Sequence, residues 1–266
     1  MHNKYSKLRK IISELDNAII AFSGGIDSTF LLKVCKDVLG DKVIAVTATS
    51  STYPTRELNT AKKITEELSV RHIVIESEEL EIEGFSKNPI DRCYYCKKEL
   101  YSKLIQVGQD NGITNILDGS NFDDMDDYRP GMKALKELNI KSPLKEVCLT
   151  KDEIRDLAKM LKLSTWNKPS YACLSSRFPY GEEITIEKLT LVDKAEQFLL
   201  DRGFSQVRVR NHGNLARIEL LPLEKEKILD TKMLIEIGEK FKNLGYTYVT
   251  LDVFGYRTGS MNETLE

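Results

Sequence analysis

Short apolar runs alternate with longer mixed stretches through the first part of the chain. Four runs predict strands, over residues 18–22, 42–48, 71–76 and 114–117, and the first two are expected to be buried. The stretches around them predict helices over residues 4–15, 29–40, 53–68, 97–112 and 151–163. Residues 141–144 are expected to add a fifth strand. Strands that alternate with helices in this way predict an α/β fold, a doubly wound parallel sheet with helices on both faces.

Beyond residue 184 the pattern changes. Apolar residues repeat at helical spacing up to Gly203, and two short strands then turn at residues 212–214, before a helix over 232–244 and a strand over 247–251. One face of this hairpin is apolar and is expected to pack on the helix. The other face carries Arg208, Arg210, Arg217 and Glu219. These arginines form either a solvated rim or a clamp for phosphate or carboxylate.

A segment rich in Pro, Gly and Ser, residues 168–181, separates the two patterns and predicts a loop at a domain boundary. It carries Cys173 between small residues, with Arg177 four positions later. An arginine close to a thiol lowers the pKa of that thiol. We expect three parts: a first domain over residues 1–168, a cysteine-bearing loop over 169–183 and a smaller C-terminal α+β domain over 184–266.

The composition is typical of a soluble globular protein, since 41% of the 266 residues are hydrophobic and 30% are charged. A net charge of −2 gives no overall field that attracts nucleic acid, and no apolar run reaches the ~20 residues of a membrane helix. The first residues open a polar helix and not a signal peptide. We therefore expect a cytoplasmic protein, where the five cysteines favour metal binding or catalysis over disulfides.

The first predicted strand leads into Ser23-Gly24-Gly25-Ile26-Asp27-Ser28, a glycine turn at the start of a helix. Glycines let the backbone approach an anion, and the first N–H groups of a helix point outward with the positive end of the helix dipole behind them. The alternative is a tight turn in which Asp27 or Ser28 caps the helix. The turn lacks the lysine of the Walker loop and the glycine spacing of the dinucleotide fingerprint. It resembles the PP-loop of the ATP pyrophosphatase superfamily, whose members cut ATP between the α- and β-phosphates and hold pyrophosphate in this loop.

Two further strand ends contribute to the candidate ATP site. The second strand ends at residues 47–50, whose backbone is a candidate for contacting adenine, and the fourth leads into an acidic loop at residues 118–124 and 126–131. Acidic side chains near phosphates either hold Mg²⁺ or are simply solvated, and Asp123 is the candidate magnesium ligand. The candidate ATP-binding residues are Ser23, Gly24, Gly25, Asp27, Ser28, Thr49, Arg56 and Gly119.

Cys93 and Cys96 form a Cys-x-x-Cys pair at the start of a predicted helix. The spacing suits two ligands of an iron–sulfur cluster, a redox pair, or two cysteines without a metal. It also suits zinc, although a zinc site normally needs a fourth ligand. Cys35 falls on the apolar face of the helix after the glycine turn and is expected in the core.

From end to end the chain resembles the ATP-dependent sulfur transferases that make the nickel-pincer cofactor of lactate racemase. The matching segments are residues 23–28, 118–131, 172–177, 207–219 and 255–260. The resemblance implies a PP-loop ATP pyrophosphatase fold, and a reaction in which a carboxylate of pyridinium biscarboxylic acid mononucleotide is adenylated and AMP is then replaced by sulfur. It implies that Cys173 lies at the sulfur-donating position, that Glu219 lies near a metal or the substrate, and that Glu196 is a weaker candidate. The implied substrate-pocket residues are Ser176, Arg177, Arg208, Arg210 and Arg257.

Members of this family differ in their sulfur source. The simplest sacrifice the sulfur of the cysteine at position 173 and keep dehydroalanine, whereas some relatives with a Cys-x-x-Cys pair bind a four-iron four-sulfur cluster on three cysteines. The pair in this chain favours a cluster on Cys93, Cys96 and Cys173, which leaves one iron without a protein ligand to carry sulfide. The expected cofactors are thus ATP, Mg²⁺ and this cluster. The expected partners are a small nucleotide substrate, a nickel-inserting enzyme that receives the product and a second copy of the chain, with no nucleic acid or membrane.

Two other functions stay open at this point. Other PP-loop proteins thiolate tRNA or transfer amide groups. If this chain had such a function, we would expect a basic surface stripe with aromatic residues. The net charge argues against that function, although the arginine hairpin fits it. A non-catalytic ATP-binding regulator needs the glycine turn but not Cys173, Arg177 or Arg257.

Overall fold

The protein divides into two compact units in a computed structural model that describes residues 1–125 and 130–265. The first unit contains Met1–Glu79 and Asp91–Tyr171, and the second contains Leu80–Ile90 and Ala172–Glu266. The division near residue 171 falls inside the segment expected to be a linker.

The place of residues 80–90 in the second unit differs from the expected domain bounds. Hydrogen bonds give the physical reason. Asn88 Nδ2 donates to the carbonyl oxygens of Phe178 and Pro179, and Ile184 N donates to Ser86 O. Those bonds tie the segment to the chain that follows Cys173.

The first unit alternates strands and helices along the chain. Its elements are α1 (His2–Ser13), β1 (Ala18–Ala21), α2 (Ile26–Leu39), β2 (Val43–Thr49), α3 (Thr55–Glu67), β3 (Arg71–Glu76), α4 (Arg92–Asp110), β4 (Ile116–Leu117), α5 (Gly131–Glu137), α6 (Pro143–Glu146) and α7 (Lys151–Met160). Its strands are parallel in the order β3-β2-β1-β4, which confirms the predicted α/β class. The chain order reverses between β1 and β4, and open α/β sheets bind ligands at such a switch point.

Helices cover both faces of this sheet. On one face Ala18 and Ile20 pack with residues of α1, α2, α3 and α7, and on the other Ile19 and Val46 pack with residues of α4 and α5. Successive side chains of a strand point to opposite faces, so the central strands β1 and β2 are buried on both sides, whereas the edge strand β3 is partly exposed. Two-sided burial explains why β1 and β2 are largely apolar runs in the sequence.

The predicted fifth strand at residues 141–144 is wrong. Lys141 forms only an isolated parallel bridge with Leu117, and α6 begins at Pro143. Proline has no N–H for a sheet ladder but suits the first turn of a helix, where that N–H has no partner.

The second unit is a smaller α+β arrangement. Its further elements are α8 (Ile186–Asp201), β5 (Val207–His212), β6 (Leu215–Leu220), α9 (Lys225–Ile228), α10 (Thr231–Leu244) and β7 (Tyr248–Leu251). β6 pairs antiparallel with β5 and parallel with β7. Val209 and Ile218 face each other across the hairpin and pack with Leu199 of α8 and Phe241 of α10. The predicted apolar face of the hairpin is therefore confirmed.

Helix length bears on membrane insertion. α4 has 19 residues, several of them charged. Across residues 1–125 and 130–265, no helix combines the length and apolar character needed to cross a bilayer.

Two glycines inside helices make a matched test of the packing of α4. A Cβ atom at Gly108 would lie 2.5 Å from Ile113 O, whereas one at Gly238 in α10 would meet no atom within 4 Å. We expect Gly108→Ala to lower the free energy of unfolding by about 1–3 kcal/mol, because the backbone must shift. Gly238→Ala should raise it by about 0.5–1 kcal/mol, because alanine favours a helix interior. Denaturant unfolding followed by circular dichroism measures both, and equal stabilisation by the two changes would contradict this packing.

Candidate functional site

The turn Ser23–Ser28 between β1 and α2 forms an anion cradle at the carboxyl edge of the sheet. Gly25 precedes the first residue of α2, and no side chain caps this helix. Asp27 and Ser28 lie inside α2, so the capping-turn alternative is wrong. The first N–H groups of α2 therefore point into the turn with the positive end of the helix dipole behind them. Two hydroxyls brace the turn, since Ser23 Oγ and Ser28 Oγ lie 3.2 Å apart.

The two glycines of the cradle have different roles. Gly24 has φ +66°, and a Cβ atom there would lie 3.2 Å from the backbone N and Cα of Ala61 in α3. Gly25 has φ −77°, and a Cβ atom there would meet only Ser23 Oγ, at 3.3 Å. Gly24 thus holds the turn against α3, whereas Gly25 leaves room for an anion to approach the start of α2.

The chain after β4 closes the cradle from the other side of the switch point. A Cβ atom at Gly119 would lie 3.1 Å from Ser28 N, so a larger residue here would crowd the backbone at the start of α2. Asp118 fixes the position of that glycine: Ser120 N donates to its Oδ1 at 2.8 Å, and the Tyr101 hydroxyl donates to its Oδ2. Burial opposes ionisation of Asp118, but Lys97 and these donors outweigh it, and the pKa of Asp118 is lowered.

Two lysines that the sequence did not predict contact the cradle. Lys151 Nζ donates to the carboxylate of Asp27, and Lys168 Nζ donates to Gly24 O at 3.0 Å. Lys168 also pairs with Glu57 of α3 at 2.7 Å. The lysines follow their cradle partners by 124 and 144 residues, so no local spacing links them. The only related signal in the sequence is the predicted start of a helix at residue 151, which is also where α7 begins.

Oxygen ligands beside the cradle fit a magnesium ion. Asp123 Oδ2 accepts from Lys151 N at 2.8 Å, and the carboxylate of Asp27 accepts from Lys151 Nζ. Both carboxylates are therefore bonded to the same residue. Mg²⁺ is usually held by one or two carboxylates together with substrate phosphates, so Asp27 and Asp123 would hold it with ATP. Within the described residues, no three His, Cys, Asp or Glu side chains converge into a metal site of their own. Residues 126–129 of the predicted acidic loop lie outside the described residues.

The two remaining ATP-site candidates lie at the same edge of the sheet. Thr49 ends β2, where its Oγ1 donates to Ile75 O at 3.2 Å and its carbonyl accepts from Ser77 N. Arg56 lies in the first turn of α3, with its guanidinium 5.8 Å from the centre of the Tyr171 ring. Their contacts with ATP stay predictions.

In the second unit, a fully buried ion pair holds the cysteine-bearing segment. Arg177 Nε donates to Glu196 Oε1 at 2.8 Å and Nη2 donates to Oε2 at 2.9 Å, and both side chains are 0% exposed. Arg177 Nη1 donates to Ala172 O at 2.8 Å and to Cys173 O at 3.1 Å. Cys173 itself is exposed. The guanidinium therefore fixes the backbone that presents an exposed thiol.

On the polar face of the β5–β6 hairpin, Arg208, Arg210 and Glu219 are buried, which excludes a solvated rim for them, whereas Arg217 is partly exposed. Arg210 Nη2 donates to Glu219 Oε2 at 2.7 Å and to Ser260 Oγ at 2.9 Å. Its Nη1 donates to Ser176 O at 2.8 Å, which joins the hairpin to the cysteine-bearing segment. Arg210 Nε is buried and has no hydrogen-bond acceptor among the described residues. A buried donor without an acceptor is costly unless a ligand supplies one.

Arg208 and Arg257 are the other two arginines expected in the substrate pocket. The guanidinium of Arg208 lies 5.1 Å from the centre of the Tyr256 ring. Burial, and then the nearby charge of Arg177, lower the pKa of Arg208 to about 10. An anion beside Arg208 would oppose that shift. Arg257 is half-buried and donates to Asp252 Oδ1 at 3.1 Å.

Cys93 and Cys96 lie near the start of α4, three residues apart and therefore on one side of the helix. Cys93 is exposed, and the half-buried Cys96 donates from Sγ to Glu79 Oε1 at 3.6 Å. The position of these two thiols suits neighbouring ligands of one metal centre as well as a redox pair. All five cysteines are described, none is in a disulfide, and Cys35 lies in the core as predicted.

Known proteins match both the cradle and the whole chain. The family described as queuosine biosynthesis protein QueC matches residues 17–88, which include the anion cradle. An uncharacterised protein of Synechocystis sp. is 43% identical over 265 residues, covering 100% of this chain and 99% of its own. The pyridinium-3,5-bisthiocarboxylic acid mononucleotide synthase of Lactiplantibacillus plantarum is 40% identical over 264 residues, covering 98% and 95%. An uncharacterised protein of Methanocaldococcus jannaschii is 33% identical over 242 residues, covering 90% of each chain.

Gly25→Val should abolish pyrophosphate release from ATP and leave the fold intact. The branched side chain would fill the space through which a phosphate reaches the start of α2. Asp27→Ala should have the same effect, whereas Gly24→Val should damage the fold itself, because it collides with Ala61. Pyrophosphate release and thermal unfolding measure the two effects separately. A native rate in either Gly25→Val or Asp27→Ala would show that the cradle is not the ATP site.

The buried ion pair predicts a loss of stability in acid. Burial opposes ionisation of Glu196, but Arg177 outweighs burial, and the pKa of Glu196 is lowered from its unfolded value of about 4.3. A lowered folded pKa adds stability that is complete above the unfolded pKa and is lost as the pH falls through the folded pKa. Below about pH 4.3 the free energy of unfolding should therefore fall more steeply in the native protein than in Glu196→Gln. Urea unfolding across this range measures it, with the exposed Glu239→Gln as a control that should follow the native protein; parallel curves for Glu196→Gln would contradict the assignment.

Proposed function

Because this chain belongs to the family of the pyridinium-3,5-bisthiocarboxylic acid mononucleotide synthases, we propose that it replaces a carboxylate oxygen of pyridinium-3,5-biscarboxylic acid mononucleotide with sulfur. As a member of this PP-loop family, the chain is an ATP-using enzyme, which removes the non-catalytic regulator as an alternative. The reaction consumes ATP and yields AMP, pyrophosphate and a thiocarboxylate. Thiolation of tRNA and amide transfer remain the alternative for the substrate.

Adenylation would take place at the anion cradle. One carboxylate oxygen of the substrate attacks the α-phosphorus of ATP, the bond from that phosphorus to the bridging oxygen breaks, and pyrophosphate leaves. The first N–H groups of α2 point to the position where the leaving pyrophosphate collects negative charge, which stabilises it. Mg²⁺ held by Asp27 and Asp123 would neutralise further charge on these phosphates. The product is an acyl adenylate, in which the substrate carbonyl is open to attack.

Sulfur transfer would follow at the second unit. A sulfur nucleophile attacks the activated carbonyl, and the bond between that carbon and the AMP oxygen breaks. If the nucleophile is the thiolate of Cys173, a thioester forms. Loss of the Cys173 Cα proton and cleavage of its Cβ–S bond then release the thiocarboxylate and leave dehydroalanine. This route consumes one enzyme molecule for each sulfur transferred.

The observation that carries the proposal is the bonding between the cysteine-bearing segment and the arginine face. Ser176 O accepts from Arg210, and Ser176 Oγ accepts from Arg177 at 2.8 Å. The segment that carries the exposed thiol of Cys173 is thus bonded to the same network as Arg177 and Arg210. The orphan Nε of Arg210 and the lowered pKa of Arg208 both favour an anionic ligand, such as the phosphate of the substrate nucleotide.

For the sulfur source we favour a cluster on Cys93, Cys96 and Cys173 over Cys173 itself. The placement of Cys93 and Cys96 on one side of α4 supports this choice, because the sacrificial route gives that pair no role. A cluster held by three cysteines supplies, when bound, a sulfide on the iron that lacks a protein ligand. The thiocarboxylate would then pass to a nickel-inserting enzyme, and we expect the protein to act as a homo-oligomer.

Arg208→Ala and Arg210→Ala should each impair use of the substrate nucleotide but not binding of ATP. Losing one charge-assisted contact to a phosphate costs about 1.5–3 kcal/mol, so kcat/KM for the nucleotide should fall roughly tenfold to a hundredfold. The reaction is followed by pyrophosphate release and by the mass of the thiocarboxylate product. Arg202→Ala is the control, because Arg202 follows the last residue of α8 and also pairs with an acidic partner, Glu236. Pyrophosphate release without the nucleotide, or equal loss of ATP affinity in both variants, would contradict the proposal.

The two sulfur sources predict opposite results for protein prepared without oxygen. With a cluster, the protein should contain iron and sulfide, Cys93→Ser and Cys96→Ser should lose cluster and activity together, and the peptide with Cys173 should keep its mass after turnover. With sacrifice of Cys173, both variants should complete one turnover, and the spent peptide should have lost one hydrogen sulfide. Peptide mass spectrometry and iron analysis separate the two. Dehydroalanine at Cys173 together with an active Cys93→Ser would overturn the cluster.

A further inference from the structure

The anion cradle contains an acid, Asp27, and no basic residue. A Walker loop brings its own lysine to the phosphates. The start of a helix supplies only about half of a positive charge, less than pyrophosphate requires even beside Mg²⁺. Basic side chains must therefore reach the cradle from elsewhere in the chain.

Lys168 approaches the cradle at its glycine end. Its ammonium donates to Gly24 O at 3.0 Å and to Glu57 Oε2 at 2.7 Å. The side chains of the pair are only 15% and 9% exposed, so solvent screens this ammonium weakly. Arg155 Nη2 donates to Lys168 O at 3.3 Å, which fixes the backbone of the lysine on α7.

Lys151 approaches the cradle at its helical end. Its ammonium pairs with the carboxylate of Asp27, and its backbone N–H donates to Asp123 Oδ2 at 2.8 Å. Thr150 and Glu153 form a capping box that fixes this first turn of α7. The two ammonium groups therefore bracket the cradle, one bonded to Gly24 and the other to Asp27.

We propose that Lys151 and Lys168 are ligands of the β- and γ-phosphates of ATP and of the pyrophosphate that leaves. The proposal rests on the proposed use of ATP at this cradle. Without ATP, the lysines are held by Asp27 and Glu57. When ATP binds, each ammonium turns from its acidic partner to a phosphate oxygen.

Titration calorimetry with inorganic pyrophosphate and Mg²⁺ tests the proposal without turnover. Lys151→Met and Lys168→Met should each weaken pyrophosphate binding by about tenfold to a hundredfold. AMP binding should stay unchanged, because AMP lacks both phosphates. Lys151→Arg and Lys168→Arg keep the charge and should bind pyrophosphate nearly as the native protein does. Lys63→Met is the control, because Lys63 is exposed on α3 and also has an acidic partner, Glu67.

A double variant shows whether Lys168 binds pyrophosphate itself or only neutralises the charge of Glu57. Lys168→Met also uncovers the charge of Glu57, which by itself would repel pyrophosphate. If Lys168 is a ligand, Lys168→Met/Glu57→Gln stays weak. If Lys168 only masks Glu57, the double variant recovers native affinity, and the assignment of Lys168 is overturned.

The remaining outcomes distinguish this inference from the proposed function. Native protein that fails to bind pyrophosphate would overturn the ATP role of the cradle itself. If the native protein binds pyrophosphate and both methionine variants bind it with the same affinity, only the assignment of the two lysines as ligands is overturned. Equal loss of AMP and pyrophosphate affinity would show general damage to the site and would also overturn the assignment.

Discussion

The second unit depends on a charge that has no access to water, the guanidinium of Arg177. Burying an ion pair costs several kcal/mol in desolvation, so its polar atoms must all be satisfied. Glu196 supplies both carboxylate oxygens, and the backbone carbonyls of Ala172 and Cys173 accept from the remaining nitrogen. Val209 N donates to Glu196 Oε1 at 3.0 Å, which ties the pair to β5. Removal of either partner would leave a buried charge without compensation. The position of the Cys173 backbone is therefore set by the same bonds that stabilise the unit.

Charge is arranged differently in the first unit. Lys151 and Lys168 pair with acidic partners at the partly exposed cradle, where an incoming phosphate can compete for them. Both pairs are more exposed than the fully buried pair of Arg177, so their partners can exchange more readily. A fixed charge suits the role proposed for the segment, which is to hold Cys173 in place. An exchangeable charge suits the role proposed for the cradle, which is to bind ATP and then release pyrophosphate.

Features set by local pattern could be predicted from the sequence, and features set by distant contacts could not. The strand, glycine turn and helix around residues 18–39 follow from neighbouring residues, and the alternation in the hairpin correctly places Arg208, Arg210 and Glu219 on one face. On that face, Arg210 donates to Ser260, which lies 50 residues later in the chain. The alternating pattern of the hairpin gives no sign of this contact. The bond from Lys168 to Gly24 and the place of Asn88 beside Phe178 are equally non-local. The strand predicted over residues 141–144 does not form, because Pro143 has no N–H for a sheet ladder and begins α6.

The central claim is that a carboxylate of the substrate attacks the α-phosphorus of ATP. Pyridinium-3,5-biscarboxylic acid mononucleotide labelled with ¹⁸O in its carboxylates tests this claim directly, by mass spectrometry of the released AMP. The attacking oxygen stays bonded to phosphorus when sulfur displaces the adenylate. We therefore predict AMP that carries one ¹⁸O atom, with unlabelled pyrophosphate. Thiocarboxylate formed together with unlabelled AMP, or ¹⁸O found in a released phosphate, would contradict adenylation of the carboxylate.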